Sequence, residues 1–139
     1  MLLEAIAAIT AKEVVSHIVK WLVNLKRAGG ERQQQSQHAV NRVASLVKKT
    51  LAYSRGLKLG KQDFVAEADL SGNWSDLSFE LADLKLHALA KKCDVMSRYW
   101  SNPEQFPPGF LAEADISFET FSSVVRDLTI QIKLRRFPK

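Results

Sequence analysis

Apolar residues recur at helical spacing in four stretches of the chain, and polar residues fill the positions between them. In the first, residues 7–25 sort onto two sides at about 100° per residue. Ala7, Ala11, Val14, Val15, Ile18, Val19, Trp21, Leu22 and Leu25 fall on one side. Lys12, Glu13, Ser16, His17, Lys20, Asn24 and Arg27 fall on the other. Lys26 and Arg27 occupy the last turn, where cations suit the helix dipole, and Gly29 and Gly30 stop the helix. The beginning of the chain breaks this order. Leu2, Ile6 and Ile9 point to the side that is polar further on. With Leu3 they make a tip apolar nearly all round. Such a tip is covered by a neighbouring element, or it serves as a contact for a partner or a membrane surface.

The second stretch predicts a helix over residues 33–56, with Ala39, Val40, Val43, Ala44, Val47 and Leu51 inward and Leu46 and Tyr53 beside them. Its approach, ERQQQSQ, has no apolar residue and is expected to fray or to project past the core. Gly56 is the expected stop. The third stretch is the longest, residues 75–100, with Ser75 as its cap. It carries two adjacent rows. One is Phe79, Ala82, Leu86, Leu89, Cys93, Met96 and Trp100; the other is Leu77, Leu81, Leu84, Ala88, Val95 and Tyr99. The fourth starts at Asp115 or Ser117, with Pro107 offering an earlier start, and carries Phe118, Phe121, Val124, Val125, Leu128 and Ile132.

The connections are uneven. The two glycines make a short link, which predicts antiparallel neighbours. Residues 57–74 read as irregular, with either a short helix capped by Asp63 or a strand alternating Phe64, Ala66, Ala68 and Leu70. SNPEQFPPG (101–109) is closed to helix by its prolines. The predicted fold is all-α: an antiparallel four-helix bundle with one long irregular connection at about 57–74. Residues 1–132 form a single domain, followed by a basic, flexible tail at 133–139. One internal echo stands out: FVAEADLS (64–71) returns as FLAEADIS (110–117), each ahead of a long helix. The flanks do not match, so a duplication is not implied. If the copies are equivalent, Glu67 and Glu113 correspond.

Composition narrows the functional classes. A chain of 139 residues with 46% apolar and 25% charged positions is an ordinary single globular domain. Cys93 is the only cysteine and lies in an apolar row, so it reads as a buried hydrophobe. Three scattered histidines give no metal-ligand spacing, so no metal and no cofactor is expected. No phosphate-binding glycine loop, GxSxG elbow or HExxH motif occurs. Glu4, Lys12, Glu13, His17 and Lys20 interrupt the most apolar stretch, so it is not a membrane span, and a cytoplasmic setting is expected.

Charge gives the clearest functional lead. Residues 1–62 carry 11 Lys/Arg against 3 Asp/Glu, net +8; residues 63–132 carry 5 against 12, net −7. Lys48, Lys49, Arg55, Lys58 and Lys61 crowd the end of the second helix and are the candidate nucleic-acid or anion contacts. Opposite signs on opposite flanks fit a head-to-side oligomer, a polyanion surface, or plain solvation. The aromatic residues fall mostly in core rows, which leaves no platform for stacking bases. In RQQQSQH, five residues separate Arg32 from His38. This resembles the Arg-x4–6-His motif of HEPN ribonucleases, small all-helical domains in which the resemblance implies RNA cleavage at a dimer interface by Arg32 and His38. The sequence therefore predicts a non-enzymatic helical-bundle interaction module that binds protein and self-associates. The alternative is a polyanion-directed bundle. It would meet nucleic acid through the second helix, or an anionic membrane through Leu2, Leu3, Ile6 and Ile9. A HEPN-like ribonuclease stands third.

Overall fold

The structure is a computed structural model. It describes residues 9–111 and 115–136, apart from the side chains of 115–122, 132, 135 and 136. Among the described residues the chain is all-α, with no strand. Its helices are α1 (Ala11–Ala28), α2 (Gly30–Lys58), α3 (Phe64–Asp83), α4 (His87–Ser101) and α5 (Asp115–Arg136). A 3₁₀ turn, Pro103–Gln105, follows α4. Their packing is that of a bundle, with α5 against α1 and α2, α3 against α2 and α4, and α1 against α4.

Helix α1 is the amphipathic element its pattern predicts. Thr10 caps it by accepting the Glu13 N–H at 3.1 Å. Ala11, Val14, Val15, Ile18, Trp21, Leu22 and Leu25 are buried and Val19 is partly so. The link to α2 is Gly29 alone, at φ 90°, a conformation that favours glycine. The start of α2 departs from expectation. ERQQQSQ neither frays nor projects: Gln33 and Ser36 are buried. The Gln33 amide donates to the carbonyls of Leu25 (3.2 Å) and Lys26 (3.3 Å) and to Gln131 of α5 (3.4 Å). Those carbonyls lie in the last turn of α1, where no intrahelical donor remains. A polar side chain is what the site requires, so an apolar pattern could not reveal it.

The middle of the chain requires two corrections. The expected long connection at 57–74 is only residues 59–63, because α2 runs to Lys58 and α3 starts at Phe64. Asp63 caps α3, accepting from the N–H groups of Val65 (2.9 Å) and Ala66 (3.2 Å). The inward row of α3 is Glu67, Leu70, Trp74, Leu77 and Leu81. A glutamate heads it, and that conceals its start in the sequence. Glu67 is held by Tyr53 Oη–H and by Gln62 Nε2 (3.3 Å).

The second correction concerns the helix expected over 75–100. It is broken at residues 84–86, with Lys85 at φ 66°. Helices α3 and α4 fold back on each other as an antiparallel pair. Ser71 Oγ donates to the Ser97 carbonyl (2.9 Å) and Ser97 Oγ returns a bond to the Ser71 carbonyl (2.8 Å). Ser78 Oγ donates to the Ala90 carbonyl at 2.7 Å. The four-helix count thus becomes five helices among the described residues. After the break, Leu89, Cys93, Met96 and Trp100 stay in the core, but Phe79 lies outside it, 70% exposed.

Helices α2 and α3 are antiparallel as well. Tyr53 meets Glu67, Thr50 meets Trp74 (Nε1–H to Oγ1, 3.3 Å), and Arg42 and His38 meet Glu80. The proline-rich connection to α5 is fixed by aromatic contacts. Phe110 stacks on Tyr99 at 4.8 Å, Phe106 packs edge-on to Tyr99 at 5.4 Å, and Tyr99 and Tyr53 each pack edge-on to Trp100. Helix α5 is described from Asp115, one of the two expected starts, through Arg136, into the stretch expected to form the tail; residues 112–114 lie outside the described residues.

Candidate functional site

Residues of α2 and α5 line a surface groove of about 380 Å³. Its floor is apolar: Ala44 and Val47 from α2, Val125 and Ile130 from α5. Val47 and Val125 are buried, and Ile130 remains half exposed. Its rim is cationic: Lys48 from α2, Arg126 and Lys133 from α5, with no carboxylate among the described lining residues. Thr129 lies between them, and its buried hydroxyl finds no partner among the described residues. Positions 44, 47 and 48 share a face of α2, and 126, 129, 130 and 133 share a face of α5, by the three-and-four spacing of a helix. An apolar floor inside a ring of like charges suits a ligand that offers an apolar group flanked by carboxylates.

The five cations predicted as one anion site do not converge. Lys48 belongs to this groove, whereas Lys49 lines a second cleft of about 250 Å³ between α2 and α3, with His38, Asn41, Arg42, Ser45 and Asn73. Adjacent residues on a helix point about 100° apart, which sends these two lysines to different sides of α2. Arg55, Lys58 and Lys61 are exposed at the far end of α2 and in the turn beyond it.

The second cleft also absorbs charge that the sequence suggests is free. Arg42 reaches Asp76 (3.8 Å) and Glu80 (3.7 Å), and Glu80 is also hydrogen-bonded to the His38 ring. Lys26 of α1 pairs with Asp127 of α5 at 3.8 Å. The basic half and the acidic half thus meet partly inside one molecule.

Arg32 and His38 are not brought together within the chain. Arg32 lines a cleft with Trp21, Asn24 and Leu25, while His38 lies in the α2–α3 cleft. Six positions along a helix turn by about 240°, so the pair faces different ways. Of the apolar tip, Leu2, Leu3 and Ile6 lie outside the described residues, and Ile9 packs partly buried against the core. The two copies of the octapeptide differ at their first residue. Phe64 opens α3 and is exposed, whereas Phe110 is buried. Glu113 lies outside the described residues.

Four titratable groups among the described residues depart from their ordinary values. Burial raises the Cys93 thiol far above its ordinary range. Burial, then the charges of Lys92 and Lys20, lower His17 below 6.5. Burial raises Tyr53 and Tyr99, helped by Glu67 in both cases. No group of three or more His, Cys, Asp or Glu side chains among the described residues is placed to hold a metal. No helix among them is long and apolar enough to cross a membrane. Compared with protein-family models, with curated proteins and with solved structures, the chain matches none of them.

One residue that the sequence assigned to the core bears on the groove. Phe79 sits two positions beyond Leu77 on α3, about 200° from the buried row. Asp76 and Asp83, three before it and four after it, lie on the same face. Both are exposed; Asp83 makes no ion pair among the described residues, and Asp76 shares Arg42 with Glu80. The available signal was Phe79 standing between two aspartates at helical spacing, which marks a surface face.

Proposed function

We propose that the protein is a non-enzymatic interaction module that binds protein, and that its first partner is a second copy of itself. The observation that carries this reading is a complementary pair of surfaces on one chain. Phe79, with Asp76 and Asp83, offers an aromatic side chain between carboxylates. The α2–α5 groove offers an apolar floor between Lys48, Arg126 and Lys133. Phe79 is not among the residues lining its own chain's groove. In this reading the groove of one copy receives Phe79 of the next.

Burying an aromatic side chain contributes about 1.5–3 kcal/mol, and each rim ion pair about 1 kcal/mol or less. The contact is therefore weak and concentration-dependent, with its specificity set by charge. A two-fold pairing of α3 with α3 is a poorer solution. Asp69 and Asp76 edge the same side of the exposed stripe Val65, Gly72 and Phe79, so two copies would bring four carboxylates together. Knob into groove is heterologous and builds rings or open chains.

The test is light scattering across a concentration series. The expected mass exceeds 15.6 kDa and grows with concentration, falls as salt is added, and returns to the monomer value for Phe79→Ser. A strict monomer at every concentration, or assembly untouched by Phe79→Ser, contradicts the reading.

A further inference from the structure

Three of the large apolar side chains left exposed among the described residues lie within seven positions of one another, at the turn from α2 to α3. Leu59 is 70% exposed, Phe64 72% and Val65 79%. Arg55, Lys58 and Lys61 are exposed around them. The turn is firmly tied. The Lys61 N–H donates to the Gly56 carbonyl at 2.9 Å, and Gly60 takes φ 77°. The Tyr53 hydroxyl accepts the Asp63 N–H at 3.0 Å while donating to Glu67, which also receives the Gln62 amide. The apolar side chains are thus displayed on a braced end of a helical hairpin. Asp63, the one carboxylate of the turn, has its side chain committed to the amide groups that open α3.

We propose that this end of the molecule docks on an anionic membrane surface. Leu59, Phe64 and Val65 enter the boundary between headgroups and acyl chains, and Arg55 and Lys61 meet the anionic headgroups, with Lys58 beside them. The chemistry is that of a peripheral contact, in which modest apolar insertion and electrostatic attraction act together. Phe64 is the single aromatic of the three and offers one stacking face at most, with aliphatic Leu59 and Val65 beside it, so a run of stacked bases fits the same surface less well. This surface is separate from the α2–α5 groove and does not depend on self-association.

The experiment is co-sedimentation of the full chain with phosphatidylcholine vesicles, with and without phosphatidylserine. Retention is expected only with phosphatidylserine. The double variant Phe64→Ser/Val65→Ser is expected to lower the partition at least about tenfold, and Arg55→Glu/Lys61→Glu roughly tenfold or more. All these side chains are exposed, so circular dichroism and thermal melting should match the parent protein. Phe79→Ser should retain vesicle binding; loss of binding in that variant would attribute retention to assembly and overturn the proposal. Equal binding by Phe64→Ser/Val65→Ser, no retention on phosphatidylserine vesicles, or salt-sensitive retention on single-stranded RNA indifferent to that variant also overturns it.

Discussion

Gln33 shows how much one polar side chain can hold. It is 1% exposed, and its amide closes the carboxyl end of α1 while reaching α5. Gln33→Ala strands those carbonyls in a buried place, where each unmet group is costly. The expected loss is about 2 kcal/mol, measured as a lower urea midpoint with an unchanged slope; a midpoint equal to the parent's contradicts this role. His17 acts through pH. Burial and the nearby Lys92 and Lys20 hold its folded-state value below 6.5, so the unfolded chain takes the proton first. Its contribution is therefore complete above pH 6.5 and declines as pH falls through the lowered value. Between pH 7 and pH 5 the parent should lose stability that His17→Gln retains. Parallel pH profiles for the two proteins would exclude it.

At the scale of elements, residues 84–86 decide the topology. They convert one long apolar segment into the antiparallel pair α3 and α4, and Lys85 stands there at φ 66°. A side chain in that conformation costs roughly 1–2 kcal/mol, part of which glycine would recover. Lys85→Gly should raise stability by about 0.5–1 kcal/mol; a lower unfolding free energy would show that the Lys85 side chain matters more than its backbone.

The same break explains what could be read from the chain and what could not. Helix α1 and the inward faces of α2 and α4 were legible, because their apolar rows are clean and their caps ordinary. The hairpin at 84–86 was hidden, because Leu84 and Leu86 continue the rows on either side and no glycine or proline marks the turn. The start of α3 was hidden by Glu67, and that of α2 by Gln33 and Ser36. These are buried polar residues whose partners lie on other elements. Phe79 followed from the hairpin: its row was real only if 75–100 had been straight.

Over the whole molecule, the opposite charges of the two halves are partly spent inside the chain, through Arg42 with Asp76 and Glu80, and Lys26 with Asp127. What remains is more local than two flanks. One groove is ringed by Lys48, Arg126 and Lys133, one acidic face carries Phe79, and one basic end displays Leu59, Phe64 and Val65. The proposed assembly makes a specific demand: each copy must supply both a knob and a groove for it to continue. Mixing two variants, one lacking each half, tests this most directly. Phe79→Ser keeps its groove, and Arg126→Glu keeps its knob. Each alone should be monomeric in light scattering, and an equimolar mixture should form a one-to-one pair that grows no further. Two variants that stay monomeric when mixed, or either one assembling alone as the parent does, would contradict the account.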